Sequence, residues 1–438
     1  MKYLVFWSMA ALGVPAMTAL AMMSESLRAW LVTLLVFSLV LAGSVSINFM
    51  SMELYRGPDR GFEVTLTDLI ALALALALLA RHSGQVQWLP YNSLCLAALF
   101  LWCLVSTASA PQPLFGGFTL FKMLRLYLVY WTLCNCLRTG VPAEAFFRGF
   151  VFSALLLTVI CLRQKYLMGL YRVHGPFDHS NTIPLFGNLM MPLLLLWGLG
   201  DRGMRQAWFL AALFGALGVV FAVLATQSRA GLALSGGALL TCLAVVNWRS
   251  RTSRVTLVSL LVFLAMVAGG FDAADTIINR VKTAPKSSAE AREEFNQAAA
   301  HMARDNLLGV GLNNFSHVLT YEDRYRQYIK VMANEKQAGV AHHMYWLTAA
   351  ELGWTGLGLL LLVFLRFMWR AWRGFRRDRG LAGLVCLGLL LGHLCLHLSG
   401  FFEWALRISP VSYQFVVTAA LISGLAAKIF GNPGRART

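Results

Sequence analysis

Apolar runs long enough to cross a bilayer recur along this chain, and no other feature of the sequence constrains its fold as tightly. A helix needs roughly 18–22 apolar residues to span the hydrocarbon layer, where only helices and closed barrels satisfy their own backbone groups. Candidate runs lie at 3–23, 29–50, 65–80, 93–109, 118–137, 146–168, 182–199, 206–226, 231–247, 255–271, 343–367, 382–400 and 408–430. The chain is 58% hydrophobic and 13% charged, with a mean hydropathy of +0.63, which excludes an ordinary soluble domain. Strand-like alternation is absent, which argues against a barrel. The expected fold is all-α, a polytopic transmembrane helical bundle of about 12–13 spans with one helical periplasmic loop. The first run carries Lys2 and an Ala19-Leu20-Ala21 triplet. An uncleaved first span is the preferred reading, with a cleaved signal peptide as the alternative.

The net charge of +17 would suggest nucleic acid on a soluble protein, but no DNA or RNA recognition motif is present. The charge follows the loops instead. Arg202, Arg205, Arg249, Arg251, Arg254, Arg370, Arg373, Arg376, Arg377, Arg379, Arg435 and Arg437 fall on one side, the cytoplasmic one by the positive-inside rule. Segment 169–181, the Ser228-Arg229 corner, loop 272–341 and His342 then face outward. Arg172, Arg229 and Arg292 run against the trend, which marks them as functional candidates. An odd number of spans puts the N-terminus outside and an even number puts it inside. All eight cysteines, Cys95, Cys103, Cys134, Cys136, Cys161, Cys242, Cys386 and Cys395, lie in apolar segments without Cys-x-x-Cys spacing. They read as small buried hydrophobes, not as disulfides or zinc ligands.

The chain divides into an N-terminal transmembrane bundle (1–271), a loop (272–341) and C-terminal helices with a basic tail (342–438). In the loop, Ser287-x-x-Glu290 predicts a capping box opening a helix through about Arg304. Asn306 to Phe315, NLLGVGLNNF, reads as a glycine turn, and a second amphipathic helix is expected from about Tyr321 to Lys336.

Several polar groups stand at the ends of apolar runs. In ATQSRAG, residues 225–231, Arg229 beside Thr226 and Ser228 suits a phosphate or pyrophosphate, which favours fork-shaped donors; a snorkelling anchor is the alternative. YRVHGPFDHSN, residues 171–181, holds Arg172, His174, Asp178, His179 and Asn181, a polar turn suited to a headgroup or sugar and without zinc-like spacing. Lys122 and Arg125 share a helix face inside an apolar run, either to meet a lipid phosphate or to form an internal ion pair, for instance with Asp68. Arg292 either takes part in a site or pairs locally with Glu290, Glu293 and Glu294. His393 and His397 are one turn apart, but no third ligand follows at a convincing spacing, so they read as core histidines.

The sharpest stretch is His342 to Gly356, HHMYWLTAAELGWTG, where a polar loop runs into an apolar helix. On a continuous helix, Gly353 and Gly356 fall within about 40° of His342, and Glu351 lies on the opposite face about 13 Å along. The glycines are therefore expected to admit a close approach beneath His342, and Glu351 is not expected to be its partner.

Taken together and in this order, RVHGPFDHSN, TQSRAG, AREEFNQAAAHMARDNLLGVGLNNF and HHMYWLTAAELGWTG resemble the motifs of the O-antigen ligase and polymerase superfamily, from about Arg172 to Gly356. Two positions depart from the pattern. His343 stands where a small amide or hydroxyl is usual, and Asp305-Asn306 stands where His-Pro is usual. His342 keeps the spacing to both glycines, which selects it over His343. The resemblance implies a membrane-embedded glycosyltransferase that takes a glycan from undecaprenyl pyrophosphate and, in a ligase, moves it to lipid A–core. It implies His342 as base and Arg229 and Arg292 as pyrophosphate clamp. Lys122, Arg125 and Arg172 would support the clamp, and His343, Asn181 and Ser228 would line the substrate site. No metal or other cofactor is required, because arginines can stabilise the leaving pyrophosphate. The implied setting is the bacterial inner membrane, with the site facing the periplasm.

Ligase is favoured over polymerase, with a loop of about 70 residues and short basic cytoplasmic loops, and over protein glycosylation, since only about 80 residues follow Gly356. The reading from another class is a transporter of an anionic solute. Against it stand the absence of repeated halves and the gathering of polar groups on one side of the membrane.

Overall fold

The computed structural model describes residues 2–250, 252–253, 255–263, 286–330 and 339–431. The end of the expected run 255–271, part of the loop, and Arg435 and Arg437 lie outside the described residues. The helices are α1 (Tyr3–Met23), α2 (Glu25–Ser38), α3 (Leu66–His82), α4 (Ser93–Ala108), α5 (Pro113–Arg138), α6 (Glu144–Leu162), α7 (Thr182–Gly200), α8 (Gln206–Thr226), α9 (Arg229–Arg249), α10 (Lys286–Asp305), α11 (Phe315–Tyr321), α12 (Met344–Arg377), α13 (Leu381–Ser399) and α14 (Ser409–Gly431). Among the described residues, nine helices are long and apolar enough to cross a membrane. The fold is an all-α polytopic bundle. Four of the expected runs fall outside those nine: α2 has 14 residues, α4 has 16, α5 has 26 but carries Lys122 and Arg125, and 255–271 is described only in part.

The expected run 29–50 is not one helix. α2 ends at Ser38, and a tight turn at Leu39–Leu41 leads past Gly43 and Ser44 into a strand. There β1 (Ser46–Phe49) pairs antiparallel with β2 (Phe62–Thr65), Asn48 facing Glu63. Backbone groups that leave the helix are thus satisfied by a ribbon. Thr65 then opens α3 with a capping box, its hydroxyl accepting from the Asp68 N–H and the Asp68 carboxylate accepting from the Thr65 N–H at 2.8 Å. Rings of Tyr3 and Phe6 in the first turns lie on Phe49 of β1. The start of the chain therefore sits at the same end of the bundle as β1.

α7 forms the centre of the bundle, with 94% of its apolar window buried against α8, α9 and α13. Gly388 and Gly392 of α13 face its backbone; a Cβ on Gly388 would lie 2.8 Å from the Leu193 Cα, so small residues set this close approach. The helices alternate between two ends. One end gathers β1, β2, Arg172, Ser228, His342 and the turn between α13 and α14. The other gathers Gly140, Trp197, Arg249, Arg377 and Lys428 around one cavity.

α12 is broken where the sequence predicts a continuous face. Gly353 has φ 67° and ψ −178°, and the helix resumes beyond it. The break frees carbonyls that would otherwise bond four residues ahead. Those of Ala350 and Glu351 accept from the N–H groups of Val310 and Gly311, at 2.8 and 3.0 Å, while the Leu352 carbonyl accepts from Trp102 at 2.7 Å. Gly309, at φ +83°, brings the turn close enough for this. What approaches α12 at its glycine is therefore the backbone of 307–311 and not a ligand beneath His342.

α10 runs as expected, its buried face made of Phe295, Ala298, Ala299 and Met302. The second loop helix differs from expectation. α11 ends at Tyr321, Glu322 is extended, and one further turn, Asp323–Arg326, follows. Tyr325 folds back and accepts a hydrogen bond from Asn306 at 2.8 Å, which replaces a straight helix by a return onto α10. The remainder of the expected helix, 331–336, lies outside the described residues.

Gly353→Ala is expected to lower stability by about 1–3 kcal/mol from backbone strain alone, with a further loss because its Cβ would meet the Leu307 carbonyl oxygen at 2.1 Å. Gly358→Ala, in the same helix with open space around it, is expected to be neutral or stabilising. Thermal unfolding of the two variants in detergent tests the contrast, and equal melting temperatures would count against the break as a structural element.

Candidate active site

Glu403, in the turn between α13 and α14, ties together four of the predicted residues. Its Oε1 accepts from Asn181 Nδ2 at 2.5 Å and from Arg292 at 3.1 Å, and its Oε2 faces His342 Nδ1 at 3.3 Å. Asn181 Oδ1 accepts from Arg172 at 3.1 Å, and Arg172 Nε donates to the Thr226 carbonyl at 2.9 Å. One network thus joins the 171–181 loop, the TQSRAG corner, the loop helix and His342. An ionised carboxylate only accepts, so His342 Nδ1 carries the proton in this contact and Nε2 is the ring nitrogen turned away from Glu403. The Glu403 side chain is 10% exposed. Burial alone raises its proton affinity, but the His342 hydrogen bond, the Arg292 charge and the Asn181 amide together hold it below the ordinary glutamate value.

The other predicted residues take distinct positions. Ser228 is the N-cap of α9, accepting from the Gly231 N–H at 3.4 Å. Arg229 follows, exposed at the first position of α9 and without an acceptor among the described residues. Arg292 does not pair locally; Glu293 accepts from Gln297 and Glu294 from the Lys330 N–H. His343 turns away to cap α12, its Nδ1 accepting from the Trp346 N–H at 3.2 Å. Lys122 and Arg125 are buried and internally paired. Lys122 meets Asp59 at 3.0 Å; Arg125 meets Asp68 at 2.7 Å and Glu63 at 3.7 Å. Glu351 pairs with Arg407 at 2.5 Å, away from His342 as expected.

His342, Glu403, Asn181, His179, Lys122, Arg125 and Arg60 all line one cleft of about 420 Å³. Burial keeps His179 below the ordinary imidazole value; Glu403 pulls it up, and Arg172 and Arg292 push it down. A second cavity, of about 430 Å³ and almost wholly apolar, opens between α4, α5, α12 and α14. The two share Asp59, Lys122 and Arg407 as a common wall.

Among the described residues no three His, Cys, Asp or Glu side chains are grouped to hold a metal. His393 bonds Thr418 at 2.9 Å and His397 bonds Tyr345 at 2.9 Å, both within the helix core. All eight cysteines are unpaired, seven of them buried. Sequence reasoning missed Glu403, Arg60 and Arg407. Their signal was charge confined to short turns between apolar runs on the His342 side, at Pro58-Asp59-Arg60-Gly61 and Glu403–Arg407.

A carboxylate with a depressed folded value stabilises the fold above its unfolded value, about 4.3, and loses that contribution as pH falls through the folded value. The gap in melting temperature between wild type and Glu403→Gln is therefore expected to be widest above pH about 4.3 and to narrow below it. A gap that does not change with pH would remove the charge from the account.

Residues 210–361, from the start of α8 through α9 and the loop into α12, match a family model described as O-antigen ligase. No curated protein matches the chain. The matched segment contains Ser228, Arg229, Arg292, His342 and Gly353, of which His342 lines the cleft and Arg292 reaches it through Glu403. The match covers about a third of the chain; over that segment the chain is similar to the O-antigen ligase family of glycosyltransferase-like membrane enzymes, which supports a place in the O-antigen ligase/polymerase superfamily.

Proposed function

We propose that the protein is a ligase that transfers a glycan from undecaprenyl pyrophosphate to a sugar hydroxyl of lipid A–core, at the periplasmic face of the bacterial inner membrane. The observation that carries this reading is the Glu403 hub, which lines the cleft beside His342 and ties Arg292 to it. The apolar cavity behind the shared wall supports a lipid-linked substrate, since a polyprenyl tail needs a hydrocarbon-like path beside its polar head.

In this mechanism the acceptor oxygen attacks the anomeric carbon from the face opposite the pyrophosphate. The new C–O bond forms as the carbon–pyrophosphate bond breaks, and configuration inverts. The hydroxyl proton passes to His342 Nε2, and Glu403 stabilises the imidazolium that results. The leaving electron pair ends on a pyrophosphate oxygen. Arg229, which has no competing acceptor among the described residues, and Arg292, on exchanging Glu403 for the phosphate, meet that charge. Arg172 and Asn181 hold the cleft side chains in register. Lys122 and Arg125 line the same cleft as paired charges. Ser228 positions Arg229, and His343 fixes the helix start beside the base. The chemistry has no step that needs a metal or other cofactor.

Transfer of a lipid-linked glycan to lipopolysaccharide core by purified protein in detergent tests the reading. Activity is expected to persist in EDTA. His342→Ala is expected to lower kcat about 10²–10⁴-fold and Arg229→Ala about 10²–10³-fold, with both variants still folded. Full activity in His342→Ala would overturn the mechanism, and lengthening of the donor glycan without transfer to core would move the assignment to polymerase. Ala97→Trp, in the wall of the apolar cavity, is expected to raise KM for a long-chain donor while leaving a short-chain donor unaffected. Equal KM changes for both donors would exclude the cavity as the tail path.

A further inference from the structure

The end of the bundle away from His342 holds the larger cavity, about 1300 Å³, on the face that the positive-inside rule assigns to the cytoplasm. Four cations ring it: Arg249, Arg377, Arg379 and Lys428. Arg249 donates to the Phe375 and Asp378 carbonyls, both at 3.1 Å, and lies on the Phe375 ring at 4.0 Å. Arg377 lies over Phe430 at 5.5 Å. None of the four pairs with a carboxylate among the described residues. Two acids reach the cavity, but Asp378 already accepts from the N–H groups of Gly380 and Gly383, at 2.8 and 3.0 Å, and Glu144 is exposed at the start of α6.

The same cavity is also lined by apolar side chains of α7, α13 and α14: Leu381, Leu425, Ile429 and the buried Trp197. A fully hydrated anion would satisfy the cations but gain nothing from these apolar groups. A phospholipid head satisfies both, with its phosphate on the arginines and lysine and its glycerol and first methylenes on the apolar side chains. We propose that this cavity is a binding site for the head group of an anionic phospholipid of the same leaflet. Four cations against two carboxylates favour a head group carrying two phosphodiesters over a zwitterionic one. The site is independent of the transfer reaction proposed for the opposite end.

The full-length protein, delipidated in a zwitterionic detergent, is melted with added diphosphatidylglycerol, with phosphatidylcholine, and with inorganic phosphate. The expected result is a saturable upward shift with diphosphatidylglycerol alone. The shift should fall by at least half in Lys428→Gln and vanish in Arg379→Gln/Lys428→Gln. It should survive in Arg202→Gln/Arg205→Gln, which removes two cations from the same end but outside the cavity. All four cations involved in these variants are exposed, and melting without lipid verifies that each variant folds. A wild-type-sized shift in the cavity double variant, or one of equal size with phosphatidylcholine, would overturn the site. The same shift with inorganic phosphate would assign it to a soluble anion instead of a lipid.

Discussion

The buried pair between Arg407 and Glu351 is the joint on which the outer end of the bundle depends. Glu351 is fully buried and Arg407 nearly so, at 2.5 Å. Removing one partner of such a pair generally costs about 3–5 kcal/mol, because the other charge is left without water or counter-ion. The pair does not stand alone. The Arg407 carbonyl accepts from Lys122 at 2.7 Å, Lys122 meets Asp59, and Asp59 accepts from Thr119 at 2.6 Å. The Glu351 carbonyl meanwhile accepts from Gly311 and Ser106. Residues from the β1–β2 connection, α4, α5, the loop and α12 are thus locked to the turn before α14. His342 and Glu403 each sit on a short arm anchored by a member of this pair, so their mutual distance is inherited from it.

The helices and several members of the Glu403 network were legible in the sequence because both rest on short-range pattern. Apolar runs declare themselves locally, and Arg172, Asn181, Arg229, Arg292 and His342 stood out as polar groups on the wrong side for their charge or at the start of a helix. Glu403 was not legible as their partner, since it lies 61 residues from His342 and only tertiary packing brings it there. Gly353 was misread for a related reason. Helical geometry projected it onto the face of His342, but the glycine ends that geometry, and the neighbour it admits is a turn from the loop. Lys122 and Arg125 illustrate a third limit. Their sequence reveals that a charge must be compensated, but not by which residue; Asp59 and Asp68 are 63 and 57 positions away.

The cations at this end fall into two electrostatic classes. Lys122, Arg125 and Arg407 are neutralised by buried carboxylates and hold segments together. Arg229 is uncompensated among the described residues, and Arg292, a third exposed, shares its carboxylate with His342 and Asn181. Only the second class has charge to offer an incoming anion without dismantling the fold. The division lets a site keep strong positive potential while its supporting charges stay silent.

α12 also acts as a ruler. Its continuous part after the break at Gly353, residues 354–377, extends about 36 Å, against about 30 Å for the hydrocarbon layer, and its far end is loaded with Arg370, Arg373, Arg376 and Arg377. Those arginines resist being drawn into the bilayer, so the helix cannot slide, and His342 is held at a set elevation above the lipid. Under the proposed transfer, a membrane-anchored acceptor would have to carry its hydroxyl on a stem that reaches this height. Stems much shorter or longer would miss the imidazole, so the proposed reaction would select by altitude as well as by sugar identity.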